Sequence, residues 1–67
     1  MDYDFPKMID FLVRSGMSYR EIAKKTRTTC PTVSRVAKGQ PPRFDHGVAI
    51  IALYEARYAE MKELLSR

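Results

Sequence analysis

The stretch Gly39-Gln40-Pro41-Pro42 constrains the fold of this chain more than any other feature. Proline lacks a backbone donor and pushes the residue before it out of the helical region, so no helix can pass through this stretch. Gly16 is a second stop, because glycine turns left-handed without a Cβ penalty. No run of alternating β-branched residues indicates a strand. The sequence therefore predicts an all-α domain, with short helices before the prolines and a long one after them.

Three short helices are predicted ahead of the prolines. The first is capped by Asp4. The second begins at the capping box Ser18-Tyr19-Arg20-Glu21, in which the serine hydroxyl and the glutamate carboxylate each satisfy a free backbone N–H. The third is capped by Thr29. The predicted ranges are 5–15, 19 to 25 or 26, and 30–39.

The fourth helix is predicted from near Asp45, as its cap, to about Leu65. Its first half is apolar all round, which indicates burial on most sides. A helix of about 20 residues is about 30 Å long, whereas a compact domain of this length is roughly 28 Å across. The far half should therefore overhang the domain. Its apolar positions narrow to one stripe: Ile51, Tyr54, Tyr58, Met61 and Leu65.

Internal supports other than the core are scarce in this chain. Its 67 residues form a single domain, and a domain of this size buries only about 60% of its unfolded surface. The single cysteine, Cys30, and single histidine, His46, supply neither an intrachain disulfide nor a tetrahedral zinc site. By elimination, we expect a homo-oligomer.

The sequence lacks the motifs that are typical of several function classes. The chain has no glycine-rich phosphate loop, metal-ligand cluster or nucleophile–base pair, so we expect no catalysis, cofactor or small-molecule ligand. It has no apolar run that could span a bilayer and no basic start typical of a signal peptide. We therefore expect a cytoplasmic protein with no membrane contact.

The positive charge is concentrated in the middle of the sequence. Residues 14–43 hold eight lysines and arginines against Glu21 alone, whereas the flanking segments are slightly acidic and the whole chain is +4. This distribution indicates a polyanionic partner contacted by the central segment. A solvated charged face is the alternative.

The two short helices inside this basic block resemble a helix-turn-helix of phage repressors, of the Cro and lambda-repressor type. The resemblance covers residues 19–39. Ala23 matches the small residue where the two helices touch, and Pro31-Thr32-Val33-Ser34-Arg35 is similar to the start of the family's recognition helix. The family usually has glycine where Arg27 stands and often glutamine, contacting phosphate or base, where Cys30 stands. The resemblance implies a compact helical domain that binds double-stranded DNA.

Four residues of the third helix are predicted to face the bases. Arg35 is the main candidate, because its guanidinium can pair with O6 and N7 of guanine; a phosphate contact or a surface ion pair is the alternative. Lys38 can reach a guanine or a phosphate. Pro31 and Thr32 can touch thymine methyl groups.

A second set of residues is predicted at the sugar–phosphate backbone. Ser18, Tyr19 and Arg20 begin the second helix, where free N–H groups favour a phosphate; Tyr19 is equally compatible with the core. Thr29 and Ser34 can bond phosphate, with capping and solvation as their alternatives. Arg43 and Cys30 complete the set.

The overhanging stripe is predicted to form a homodimer interface, because two recognition helices about 34 Å apart can read a palindrome. The expected function is that of a transcription regulator, a Cro-like phage or prophage repressor that blocks polymerase at an operator. An antitoxin-like or adaptor protein, whose C-terminal helix binds a partner protein, is the alternative.

Overall fold

The computed structural model describes residues 3–66 and contains only helices in that range. The predicted all-α architecture with a long C-terminal helix is confirmed. None of these helices is both long and apolar enough to cross a bilayer. The helices are α1 (Phe5–Arg14), α2 (Tyr19–Lys25), α3 (Cys30–Ala37) and α4 (Phe44–Leu65).

The first three helices all end in the same backbone motif. The residue after each C-cap has a positive φ, namely Gly16 at +106°, Arg27 at +57° and Gly39 at +111°. The next N–H then reaches back to a carbonyl in the last turn, which is the Schellman arrangement. These bonds are Met17 to Leu12 (3.1 Å), Thr28 to Ala23 (2.8 Å) and Gln40 to Arg35 (3.0 Å). Because the C-caps precede these residues, α1 and α3 end slightly earlier than predicted.

Three of the four predicted cap residues occupy the N-cap position, and the cap predicted at Asp45 is wrong. Asp4 accepts a hydrogen bond from the Lys7 N–H, and Ser18 accepts one from the Glu21 N–H. Thr29 stands at the N-cap of α3 but makes no capping bond, because its hydroxyl bonds that of Thr32 at 2.9 Å.

At the start of α4, Arg43 occupies the cap position without a side-chain bond, and the helix begins one residue before Asp45. Asp45 therefore lies in the first turn. Its negative charge there still favours the helix, since the free N–H groups carry partial positive charge.

The core draws on all four helices. Its largest fully buried side chains are Ile9, Leu12, Ile22, Val33 and Ile50. α1 packs against α3 and α4, and α2 packs against α3. Each of these side chains stabilises the fold by about 1.5–3 kcal/mol through burial, so α3 is held firmly by one of its faces.

The far end of α4 extends past this core, as expected. α4 is about 33 Å long, and the longest dimension of the molecule is 36 Å. Residues 59–65 are exposed apart from the half-buried Met61. Leu64 and Leu65 are 63% and 83% exposed, which leaves apolar surface uncovered at this end.

Candidate nucleic-acid interface

The two faces of α3 have opposite environments. Val33 and Val36 are buried against the core, at 1% and 2% exposure. Pro31, Arg35 and Lys38 are exposed. The predicted base-facing set therefore lies on the outside of the domain, with half-buried Thr32 at its edge. Lys38 is the C-cap residue rather than part of the helix.

The turn between α2 and α3 is fixed by internal hydrogen bonds. Thr26 is buried, and its Oγ1 donates to the Ile22 carbonyl at 2.7 Å. Arg27 has the left-handed backbone that glycine adopts without strain, at the position where the resembled family usually has glycine. The arginine therefore preserves the shape of the turn at a steric cost of about 1–2 kcal/mol, and it places a further cation beside α3.

The start of α2 is open to solvent. Ser18, Tyr19 and Arg20 are all exposed, and Tyr19 at 39% lies outside the buried core. The serine hydroxyl already accepts the Glu21 N–H at 3.1 Å. A phosphate at this helix end would therefore meet the remaining backbone N–H groups, the Tyr19 hydroxyl and the Arg20 guanidinium.

The remaining backbone candidates lie close to the start of α3. Thr29 and Cys30 are exposed, whereas Ser34 is half-buried on the flank of the helix. The hydroxyl pair of Thr29 and Thr32 is exposed, so both oxygens remain accessible to a further hydrogen-bonding partner. Cys30 is a free thiol at the first position of the helix.

The residues after α3 form a concave surface beside Arg35. The concavity has a volume of about 240 Å³. It is lined mainly by the end of α3, the proline-rich connection and the start of α4. Arg35 and Arg43 both border it, so one arginine of the helix and one of the connection lie beside a common region.

Gln40 borders the same concave surface, which sequence reasoning missed. Its backbone N–H is bonded to the Arg35 carbonyl, and this bond turns the chain back beside the helix. The signal was the glycine at position 39, because a Schellman motif returns the second residue after the C-cap to the last helical turn.

The basic block is exposed and poor in carboxylate partners. All eight of its lysines and arginines are exposed. Only Arg14 is ion-paired among the described residues, with Asp10 at 3.0 Å. Lys25 forms no ion pair with Glu21, the acidic residue one turn earlier in α2. Seven cations therefore remain available to an external anion.

His46 lies in the first turn of α4 and is only partly exposed. It is half-buried, and its Nδ1 is buried without a hydrogen-bond partner in residues 3–66. It lies between the concave surface beside Arg35 and a second one lined by Lys25, Arg27 and Asp45. His46 therefore lies where the start of α4 adjoins α3 and the turn between α2 and α3.

The predicted dimer residues begin in an aromatic cluster and end in exposed aliphatic side chains. The Phe11 ring lies 5.2 Å from that of Tyr54 and 5.9 Å from that of Tyr58. Ile51 and Tyr54 pack partly against the core, and Tyr58 is 49% exposed. Met61 is half-buried and Leu65 is exposed. The stripe therefore packs against the core at one end and is exposed to solvent at the other.

No group of three or more histidine, cysteine, aspartate or glutamate side chains within residues 3–66 is arranged to hold a metal ion. Compared with known proteins, the chain matches no family model, no curated protein and no solved structure.

Proposed function

We propose that this protein is a sequence-specific regulator of transcription that binds double-stranded DNA through the major groove. The observation that carries the proposal is the division of α3 into a buried apolar face and an exposed face with Arg35 and Lys38. A groove about 12 Å wide accepts one such helix. The packed face fixes the helix, and the exposed face contacts the base edges.

The flanking elements contact the two sides of the groove. The start of α2, with Tyr19 and Arg20, meets one phosphate backbone, and Arg43 meets phosphates beside the C-terminal end of α3. Exposed cations without internal partners suit this role, because each phosphate contact releases a condensed counterion. Arg35 reads a guanine, and Gln40 stands close enough to the same region to add a polar contact.

The protein acts as a homodimer on a palindromic operator and represses by occupying it. Two copies of α3 about 34 Å apart match half-sites one helical turn apart. The exposed end of α4 supports this assembly, since Tyr58 and Leu65 leave apolar surface for a second chain to cover. This activity places the protein in the cytoplasm of a bacterial or phage-infected cell.

Selection of binding sites from random DNA tests the proposal. We expect a palindromic consensus. Affinity for that site should fall with salt at a log–log slope near −7 if about eight phosphates are contacted per dimer. No enrichment, together with a slope near zero, would refute DNA binding.

A substitution pair tests the role of α3. Arg35→Ala should weaken binding to the selected site by about 1–3 kcal/mol and relax the preference at one base pair. Arg14→Ala is the matched control, because it removes the same charge from an exposed arginine paired with Asp10 on α1. Equal losses for both variants, with the base preference intact, would exclude Arg35 as a reading residue.

A further inference from the structure

The outer side of α4 carries a second pattern, of which only Ile51 packs against the core. Ile51, Glu55, Tyr58, Lys62 and Leu65 are spaced alternately by four and three residues. This spacing places them in one line along the helix, which we call the outer row. All are exposed except Ile51, which is half-buried.

The two charges in the outer row have no ion-pair partner within residues 3–66. The ion pairs within residues 3–66 join Lys7 to Asp4, Arg14 to Asp10 and Arg57 to Glu60. Neither Glu55 nor Lys62 takes part in them. The two charges stand one on each side of Tyr58, three and four residues away. The two charged residues are therefore placed almost symmetrically about Tyr58, and their charges are opposite.

A row of this kind is complementary to the same row of a second copy that runs in the opposite direction. When two copies pair antiparallel about a two-fold axis at Tyr58, Glu55 faces the partner's Lys62, and Lys62 faces the partner's Glu55. Ile51 then faces the partner's Leu65. A parallel pair would instead place Glu55 against the partner's Glu55 and Lys62 against the partner's Lys62. The charges thus favour one polarity and one register.

We propose that α4 pairs antiparallel with the same helix of a second copy, with the two-fold axis at Tyr58 and two Glu55–Lys62 ion pairs that set the register. The inference rests on the proposed function for the existence of a homodimer and goes beyond it in naming polarity, register and the residues that define them.

A second copy fits this surface better than an unrelated partner does. An isologous interface requires a patch that is complementary to itself, and the outer row meets that requirement in both charge and apolar content. A stable dimer buries about 800 Å² per partner, which is about a sixth of the 5127 Å² surface of this chain. The aromatic rings of Phe11 and Tyr54 beside Tyr58 extend the apolar area onto α1.

Charge reversal tests the register. Sedimentation equilibrium without DNA should show that Glu55→Lys alone and Lys62→Glu alone each raise the dimer dissociation constant about tenfold or more, because two attractions become repulsions. The double variant E55K/K62E should return it to within about threefold of the original value. Lys24→Glu, an equal reversal at an exposed site on α2, should leave it unchanged.

Disulfide crosslinking tests the polarity. In a Cys30→Ser background, a mixture of Ile51→Cys and Leu65→Cys chains should form a crosslinked dimer on mild oxidation, whereas neither chain alone should. Tyr58→Cys should crosslink to itself, and Ala59→Cys, which lies off the outer row, should not. Circular dichroism verifies that each variant remains helical.

The outcomes separate this inference from the proposed function. Crosslinking of Ile51→Cys to itself would show a parallel pair and overturn the inference. No rescue by the double charge reversal, or a monomeric protein that still binds its operator fully, would also overturn it while leaving DNA binding in place. A dimer with the predicted crosslinks that binds no DNA would support the inference and refute the proposed function.

Discussion

Arg57 joins α4 to a residue 42 positions earlier in the sequence, and its removal should destabilise the protein measurably. Its Nε donates to the Ser15 hydroxyl at 3.0 Å, and its Nη2 donates to the Ser15 carbonyl at 2.6 Å. Nη1 also pairs with Glu60 at 3.2 Å. The guanidinium thus fastens α4 to the C-terminal end of α1, at the point where the overhang begins.

The expected loss follows from these contacts. A hydrogen bond from a charged donor contributes about 1.5–3 kcal/mol when it is buried. The Arg57 side chain is 29% exposed, so water replaces part of what is lost. The substitution Arg57→Met keeps the apolar stem and removes both bonds to Ser15. We expect it to lower the free energy of unfolding by about 2 kcal/mol, which corresponds to a fall in Tm of about 8–16 °C.

Urea and thermal unfolding followed by circular dichroism measure this loss, at one fixed protein concentration because the proposed dimer would add to the apparent stability. Arg14→Met is the matched control, since its side chain is 80% exposed and its partner, Asp10, lies on the same helix. We expect the control to change stability by less than about 0.5 kcal/mol. Equal losses for the two variants would refute the reasoning.

Two further substitutions test the turn between α2 and α3. Arg27→Gly should raise the free energy of unfolding by up to about 1 kcal/mol in urea titrations, because glycine adopts a φ of +57° without strain; a clear loss would show that the arginine contributes contacts beyond its backbone. Thr26→Val should lower it by about 1 kcal/mol, because the valine cannot donate to the Ile22 carbonyl; no change would mean that this bond adds nothing net.

Most of the fold was predictable because its signals are local. Each helix start carries a capping or proline signal, and Gly16, Gly39 and the proline pair mark helix ends in the sequence itself. Thr29 occupies the predicted N-cap but makes no capping bond, for a reason that a sequence does not display. The hydroxyl of Thr32 competes for the same oxygen, and the choice between two short-range partners depends on side-chain rotamers.

The long-range contacts could not be predicted in the same way. Arg57 and Ser15 are separated by 42 positions, and nothing in either local pattern links them. The burial of His46 depends on how α4 crosses the turn between α2 and α3, which helical periodicity leaves open. The outward face of α3 was predictable, because Val33 and Val36 fix which side turns inward.

A titration of the labelled protein with its selected duplex, followed by NMR of the backbone amides, tests the central claim most directly. Contact between the outer face of α3 and the major groove predicts the largest shifts at residues 30–38, with smaller ones at 18–20 and 43. Shifts confined to α4, or none at all with a duplex that the selection enriched, would contradict the claim.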